Sequence, residues 1–301
     1  MMNDIIVGIG EVLWDVFPEG KRIGGAPANF AYHMLQFGFD SRVVSAVGED
    51  VLGNEILENF NGKGLRYWVE RVSFPTGIVE VTLDGEGIPC YEIKQGVAWD
   101  NVPYTPELDR LACQTRCVCF GSLAQRNVVT RTTLNRFLEA MSGEAYKVFD
   151  INLRQHFYTV EVLKDSLARC NILKLNDEEL VILSDLLELS EESVEKRCRE
   201  MMDRFDLDVL ILTCGVQGSY VFAGDIRSFL DTPHVKVADT VGAGDSFTAA
   251  FCAAVLKGRS MVEAHRFAVE VAAFVCSQTG AVPLYSFSFS RSICVSLTFS
   301  L

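Results

Sequence analysis

Residues 147–213 decide the fold of this chain. Three short apolar runs recur in this stretch, KVFDINL (147–153), ILKLN (172–176) and VLILT (209–213). Segments with helical spacing separate them, at 160–169, 177–187 and 191–204. Apolar strands that alternate with helices predict parallel pairing, because each helix returns the chain to the start of the next strand.

The alternation extends outward from this stretch in both directions. Further strands are predicted at 5–9, 42–48 and 118–121, and further helices at 27–38, 54–60, 130–141 and 246–258. The chain contains no linker and no repeat. We therefore predict an α/β fold in one domain, 1–301, with a doubly wound and mostly parallel sheet flanked by helices.

One region departs from this rhythm. Residues 76–94, TGIVEVTLDGEGIPCYEIK, alternate apolar and polar residues around a glycine-containing turn. This pattern predicts two antiparallel strands, and EVLWDVF (11–17) could add another. We expect either an edge extension of the main sheet or a separate flap.

The composition restricts the partners of the protein. Its 301 residues carry a formal net charge of -13, which disfavours nucleic acid and anionic lipid. No apolar stretch approaches the length of a membrane span, and Asp4 stands where a signal peptide would be basic. Ten cysteines occur without a CxxC pair, which favours reduced thiols and a cytoplasmic protein.

The stretch DTVGAGDSF (239–247) combines small residues with a carboxylate at the start of a predicted helix. Backbone N–H groups of Gly242, Ala243 and Gly244 could surround phosphoryl oxygens, and the helix adds its positive end. Asp245 could accept a proton from an attacking hydroxyl group. The alternative is an aspartate that stabilises a helix start after a glycine turn.

A second glycine-rich turn, IGGAPANFA (23–31), precedes another predicted helix. Gly25 allows a ligand to approach the backbone, and the amide of Asn29 suits vicinal hydroxyl groups. An ordinary strand-to-helix turn would have the same pattern.

NDEE (176–179) follows a predicted strand and places Asn176 and Glu179 three residues apart. Their oxygens suit Mg²⁺, held through water. A capping box at the start of a helix explains the same residues.

Other phosphate-binding signatures are missing. The sequence has no GxxxxGK[ST], and GIGEVL (8–13) lacks the third glycine of a dinucleotide fingerprint. LTCGVQGSYVF (212–222) ends a strand with Thr213 and two glycines, which suits the edge of a nucleotide site.

Taken in order, GGAPAN, NDEE, TCGVQG and DTVGAGDSF resemble the PfkB family of carbohydrate kinases, which have the ribokinase-like fold. The resemblance covers residues 4–283, and GGAPAN, DINLR (150–154) and VAWD (97–100) are most similar to its fructokinase branch. The family usually continues with a closing helix, whereas this chain runs into the Ser-rich segment 283–301, which reads as strand-like or unstructured.

The resemblance implies a role for each matched residue. Asp245 would be the catalytic base, and Gly242, Ala243 and Gly244 the anion hole. Asp15, Gly25 and Asn29 would bind the sugar. The ATP site would comprise Arg154, Asn176, Thr213, Gly215 and Gly218.

The resemblance also implies cofactors and an assembly. Glu179 and Asn176 would organise Mg²⁺, and Asp239 is a candidate ligand for K⁺. Residues 11–22 and 76–98 would form a lid and a homodimer contact.

The implied reaction is ATP-dependent phosphorylation of the primary hydroxyl of a neutral sugar, with fructose as the first candidate. Four acidic residues in 76–94 against Lys94 alone disfavour an anionic acceptor. Ribose, 2-keto-3-deoxygluconate and nucleosides remain alternatives, as does a non-catalytic sugar- or nucleotide-binding protein on the same fold.

Overall fold

The computed structural model describes residues 4–18, 20–83, 89–189 and 193–286. The strands in these ranges are β1 (Ile5–Ile9), β2 (Leu13–Phe17), β3 (Gly20–Gly24), β4 (Asp40–Gly48), β5 (Arg66–Val72), β6 (Gly77–Leu83), β7 (Pro89–Ile93), β8 (Thr115–Phe120), β9 (Tyr146–Asp150), β10 (Ile172–Asn176), β11 (Val209–Thr213), β12 (Ser219–Ala223) and β13 (Ile226–Leu230). The helices are α1 (Ala26–Gln36), α2 (Val51–Gly62), α3 (Pro106–Gln114), α4 (Val128–Ala140), α5 (Val160–Arg169), α6 (Asp177–Leu187), α7 (Val194–Phe205), α8 (Ala243–Leu256) and α9 (Met261–Cys276).

Within the described ranges, nine strands form a large sheet in the order β13-β12-β11-β10-β9-β8-β1-β4-β5. The seven strands from β11 to β5 pair in parallel, and β12 and β13 add an antiparallel edge. The strand order reverses at β1, because β4 lies on one side of it and β8 on the other. Sheets of this kind bind ligands at the carboxyl ends of the strands beside such a reversal.

Helices cover both faces of this sheet. Side chains of α3 to α7 pack with Val7, Phe120 and Phe149 on one face. On the other face, side chains of α1, α8 and α9 pack with Ile6 and Val148. Strands buried on both faces read as continuous apolar runs, which is why the alternation was visible in the sequence. The predicted doubly wound, mostly parallel fold is confirmed.

Four strands form a separate small sheet in the order β3-β2-β6-β7. One face carries Val79, Val81 and Ile93, which pack with Trp99 and Leu123 of the main body. The hairpin predicted at 76–94 is therefore present as β6 and β7, and β2 pairs with β6 in parallel. We call these four strands the lid.

The opposite face of the lid is also partly covered within the chain. Trp14 and Ile78 pack with residues of α2, and Trp14 Nε1 donates to Leu52 O (3.1 Å). Farther along this face, Glu80 and Glu92 stand opposite each other, and Lys94 Nζ lies 2.7 and 2.9 Å from their carboxylates. Two of the four acidic residues in 76–94 thus have a basic partner, whereas Asp84 and Glu86 lie outside the described residues.

The end of the described chain has no helix or strand. Tyr285 stacks on Phe37, which follows α1, and its hydroxyl lies 2.6 Å from His33 Nδ1 of that helix. Residues 287–301, most of the Ser-rich segment, lie outside the described residues.

Candidate active site

The predicted site residues converge at the carboxyl ends of β1, β9, β10 and β11, beside the start of α8. Two of them, Asn29 and Asp245, are directly bonded across the site: Asn29 Nδ2 donates to Asp245 Oδ2 (2.8 Å). This hydrogen bond joins α1 to α8 and orients the carboxylate in the first turn of α8.

The turn before Asp245 needs its glycine. Gly242 caps α8 with φ at 77°, and a methyl group there would lie 2.6 Å from the carbonyl oxygen of Ala281. Only glycine adopts this conformation without strain in so little space. Gly242, Ala243 and Gly244 therefore form the predicted short turn at the positive end of α8, next to the carboxylate.

The sugar-side residues lie on the lid and at the start of α1. Asp15 is on β2, directly paired with Arg22 of β3, and both face the same side of the lid as Val79. Gly25 caps α1 at φ 117°, where a side chain would collide with the backbone of Glu11. These positions bring Asp15, Gly25 and Asn29 to one end of the site. We call the space between the lid and the carboxyl ends of the main strands the cleft.

The carboxyl groups in the cleft hold protons more tightly than usual. Burial and the nearby charge of Asp150 raise the pKa of Asp245 to about 6, against the lowering effect of Asn29, Lys174 and Arg154. Burial likewise raises the pKa of Asp15 to about 6, although Arg154 and Arg22 lower it. A carboxyl group with such a pKa is ionised at neutral pH but remains a fair proton acceptor.

Glu11 is a third acid in this cluster, and our sequence analysis did not select it. It follows β1 and is 4% exposed, and its Oε2 has no hydrogen-bond partner. Burial raises its pKa to about 7, and the charge of Asp245 adds to the shift. Its position directly after GIG at the end of a predicted strand was the available signal.

A buried ion pair supports the floor of the site. Lys174 Nζ lies 3.0 Å from Asp150 Oδ1, and Thr248 Oγ1 donates to Asp150 Oδ2 (3.0 Å). Burial lowers the pKa of Lys174, but the charges of Asp150 and Glu179 outweigh it and the net pKa is raised. A methyl group on Gly244 would lie 3.0 Å from Lys174 Nζ, so this pair lies directly beneath the glycine turn.

Asn176 and Glu179 form the capping box that we considered as the alternative to a metal site. Asn176 Oδ1 accepts from Glu179 N (2.7 Å), and Glu179 Oε2 accepts from Asn176 N (2.8 Å). The other oxygen, Oε1, accepts from Leu153 N (2.8 Å). Glu179 thereby fixes the loop that carries Arg154, and its role toward Mg²⁺ stays a prediction.

The residues predicted for the edge of the nucleotide site lie beside Asn176. Thr213 ends β11 and is paired with Asn176 of β10 in the sheet. Gly215 and Gly218 form the following turn with positive φ angles, 53° and 111°. The predicted residues from Asp245 to Gly218 thus form a row across the carboxyl ends of the strands of the main sheet.

Two arginines contribute to the charge of the cleft. Arg154 is exposed and lowers the pKa of Glu11, Asp15 and Asp245, so its guanidinium is within electrostatic range of all three. Arg22 of the lid lies 3.5 Å from Asp239 Oδ2.

Asp239 also accepts two backbone hydrogen bonds. Val241 N donates to its Oδ1 and Gly280 N to its Oδ2, each at 3.1 Å. Together with Arg22, these donors surround the carboxylate with positive partners, which is an unfavourable arrangement for K⁺. A K⁺ site at Asp239 stays a prediction.

The described residues contain neither a metal cluster nor a membrane-spanning helix. No cluster of three or more His, Cys, Asp and Glu residues in those ranges could hold a metal ion. None of the helices in the same ranges is long and apolar enough to cross a membrane.

Known proteins resemble this chain in both sequence and fold. The pfkB family carbohydrate kinase profile matches residues 10–286. A sugar kinase of Pyrococcus horikoshii is 28% identical over 298 residues, covering 92% of this chain and 91% of that protein. Probable fructokinase-4 of Arabidopsis thaliana is 25% identical, with 93% of each chain covered.

A solved structure agrees with these relatives. The fructokinase of Xylella fastidiosa, crystallised with bound ATP, superposes with a TM-score of 0.84 at 20% identity, covering 97% of this chain and 98% of that one. The match of the family profile to nearly the whole chain confirms the resemblance drawn from the motifs. The protein belongs to the pfkB family of carbohydrate kinases.

Proposed function

We propose that this carbohydrate kinase transfers the γ-phosphoryl group of ATP to the primary hydroxyl of a sugar, with fructose as its first candidate. The observation that carries the proposal is the orientation of Asp245. Asn29 holds its carboxylate at the start of α8, next to the turn Gly242–Gly244.

Asp245 would act as the general base. As the sugar oxygen attacks phosphorus, the carboxylate would take the hydroxyl proton, and its pKa of about 6 suits that task near neutral pH. The N–H groups of the glycine turn and the positive end of α8 would stabilise charge on the phosphoryl oxygens.

The ATP side would use the edge formed by Asn176, Thr213, Gly215 and Gly218. Mg²⁺, which neutralises phosphate charge when bound, usually takes few protein ligands and keeps several waters. Both oxygens of Glu179 already accept backbone hydrogen bonds. Glu179 and Asn176 would therefore orient water around the metal, and Arg154 would supply a second positive charge.

An anionic sugar is the second candidate for the acceptor. Two of the acidic lid residues are paired with Lys94, and Arg22 and Arg154 lie near Asp15 in the cleft. This charge distribution weakens the argument for a neutral acceptor and suits a sugar acid such as 2-keto-3-deoxygluconate. Fructose remains first because of the fructokinase relatives.

A cytoplasmic homodimer through the lid is a further expectation. Ile78 and Val79 place apolar side chains on opposite faces of the lid, which would favour burial against a second subunit. Val81 and Ile93 are buried against the body of their own chain, and Trp14 packs on α2. Light scattering of the purified protein decides the oligomeric state.

A coupled ADP-release assay over a small panel tests the function. The panel contains fructose, ribose, 2-keto-3-deoxygluconate, a nucleoside and fructose 6-phosphate, and we expect the highest kcat/KM for fructose. Asp245→Asn keeps the shape of the site but removes the proton acceptor, so kcat should fall about 10²–10⁴-fold. A folded Asp245→Asn variant with normal kcat would exclude Asp245 as the base, and preference for the sugar acid would select the second candidate.

A further inference from the structure

A second polar cavity lies at the attached end of the lid, outside the catalytic cleft. It has a volume of about 240 Å³ and opens to solvent between α4, α5 and the segment that follows β7. Asp15, Asn29 and Asp245 do not line it. At about 30 Å³ per water molecule, it holds roughly eight waters, which is more than an inorganic phosphate ion requires.

Arg126 forms one wall of this cavity and has an unused hydrogen-bond donor. Its side chain is only 7% exposed and lies between the rings of Trp99 and Phe157, at 4.0 and 4.7 Å from their centroids. Nε and Nη2 bind Asp100 at 2.7 and 2.9 Å, and Nη2 also donates to Lys94 O (2.6 Å). Nη1 is buried and has no partner. A buried donor left unpaired is costly, so an acceptor at this point would be stabilising.

The other charged groups of the wall are mainly basic. Arg131 and His156 line the cavity with Arg126, and Asp100 is the one acidic residue among the described lining residues. Asp100 is already neutralised by Arg126. Arg131 N donates to Asn127 O (3.1 Å), but its side chain makes no hydrogen bond or ion pair with any residue that the structure describes, so its charge is available to a ligand. This local excess of positive charge contrasts with a net charge of -13 for the chain.

The start of α4 adds to this field. Its N-cap, Asn127, lines the cavity, and the first turn of the 13-residue helix contains no acidic residue. Both helix starts have a side-chain cap, and Asn127 Oδ1 accepts from Val129 N (2.9 Å). The first turn of α5 also contains the carboxylate of Glu161, which bonds to Thr159 and to its own backbone N–H. The positive end of α4 is therefore the one that favours an anion in this cavity.

We propose that this cavity binds the phosphate group of a small phosphorylated metabolite, through Arg126, Arg131 and the start of α4. The amides of Gln95 and Asn127 on the same wall suit the hydroxyl groups of the remaining molecule. Because Arg126 also holds the end of β7 through Lys94 O, an anion here stabilises the attached end of the lid.

Tryptophan fluorescence provides a direct test, because Trp99 stacks on Arg126 and is one of only three tryptophans in the chain. Inorganic phosphate is titrated into the full-length protein, with potassium chloride at matched ionic strength as the control. We expect a saturable change in fluorescence and a higher melting temperature with phosphate. Arg131→Gln should weaken the binding by about tenfold or more, since it removes a charged donor.

Arg136→Gln is the matched control, because Arg136 lies on the same helix and stacks on Tyr104 instead. It should bind phosphate as the wild type does. Wild-type binding that persists unchanged in Arg131→Gln would place the anion elsewhere, at the glycine turn before α8, and overturn the proposal. A wild-type protein without a saturable change in fluorescence would also overturn the proposal. His156→Gln, with an expected weakening in the same assay, decides the matter if Arg131→Gln does not fold.

Discussion

Asp150 and Glu11 are both buried carboxyl groups near Asp245, but their surroundings differ. Asp150 has Lys174 at 3.0 Å on one oxygen and Thr248 at 3.0 Å on the other. Glu11 leaves Oε2 without a partner, and its pKa is raised to about 7. The first group is a satisfied ion pair, whereas the second is an acid that resists ionisation.

The two carboxyl groups therefore suit different roles in one site. An ion-paired carboxylate supports the structure, whereas one with a raised pKa can accept a proton. The Lys174–Asp150 pair lies beneath Gly244 and fixes the start of α8. Burial raises the pKa values of Glu11, Asp15 and Asp245, and these are the acids that would face a bound sugar. Carboxyl groups that are destabilised as anions are useful where a proton must be accepted and are a cost to folding everywhere else.

Breaking the ion pair should have the largest effect on stability. Lys174→Met leaves the Asp150 carboxylate buried without its cation, which should lower the free energy of unfolding by about 3–5 kcal/mol. Arg110→Met removes an exposed partner of Glu107 and should change the stability far less, because solvent screens such a pair. Urea denaturation of both variants measures the contrast, and equal losses would show that the buried pair has no special role.

Neutralising the unpaired acid should have the opposite sign. Glu11 has a pKa of about 7 in the folded protein against an ordinary value of 4.5. Between about pH 4.5 and 7, the folded state therefore binds more protons than the unfolded state. The free energy of unfolding therefore falls as pH rises from about 4.5 to 7, and the full cost is present above pH 7. Glu11→Gln should stabilise the protein by about 1–3 kcal/mol at pH 8 and by much less at pH 4.5.

The control for this pH dependence is Glu58→Gln, on the exposed side of α2. Thermal unfolding at both pH values compares the variants. A Glu11→Gln protein that is less stable at pH 8 would mean that the carboxylate makes a favourable contact there.

The smallest expected effect concerns two matched capping boxes. Glu179 pairs with Asn176 at the start of α6, and Glu263 pairs with Ser260 at the start of α9. Glutamine also serves in a capping box, so both Glu→Gln changes should cost little stability. If Glu179 also orients water around Mg²⁺, its variant alone should shift the Mg²⁺ midpoint of activity, by roughly tenfold. Equal midpoints in both variants would leave Glu179 with the capping role only.

The sequence predicted those parts of the site whose chemistry lies in a local motif. Gly242 and Asp245 stand in one turn, and Asn176 and Glu179 in another, so their spacing could be interpreted directly. Glu11 was missed because its environment comes from Ala26, Arg154 and Asp245, which are distant in the chain. Lys174 had a visible signal, a single charge within the apolar run ILKLN, but its partner Asp150 belongs to another strand.

The elements of the fold also differ in how clearly the local sequence marks them. The central strands were predicted because burial on both faces makes them continuously apolar. The edge strands β5 and β13 carry polar residues on exposed positions and were not predicted. Helices α3 and α9 were also missed, although Thr105 followed by Pro106 and the Ser260–Glu263 box mark their first turns.

The hydrogen bond between Asn29 and Asp245 has a consequence for biosynthesis. Its partners lie 216 residues apart in the chain. At roughly 5–20 residues per second, a ribosome needs roughly 10–40 s to add Asp245 after Asn29. During that time both neighbours of β1, β4 and β8, are made, whereas Asn29 still lacks its partner in α8. If Asp245 is the base, the nascent chain would have no activity until α8 has been made, and a chain stopped before α8 would be inactive.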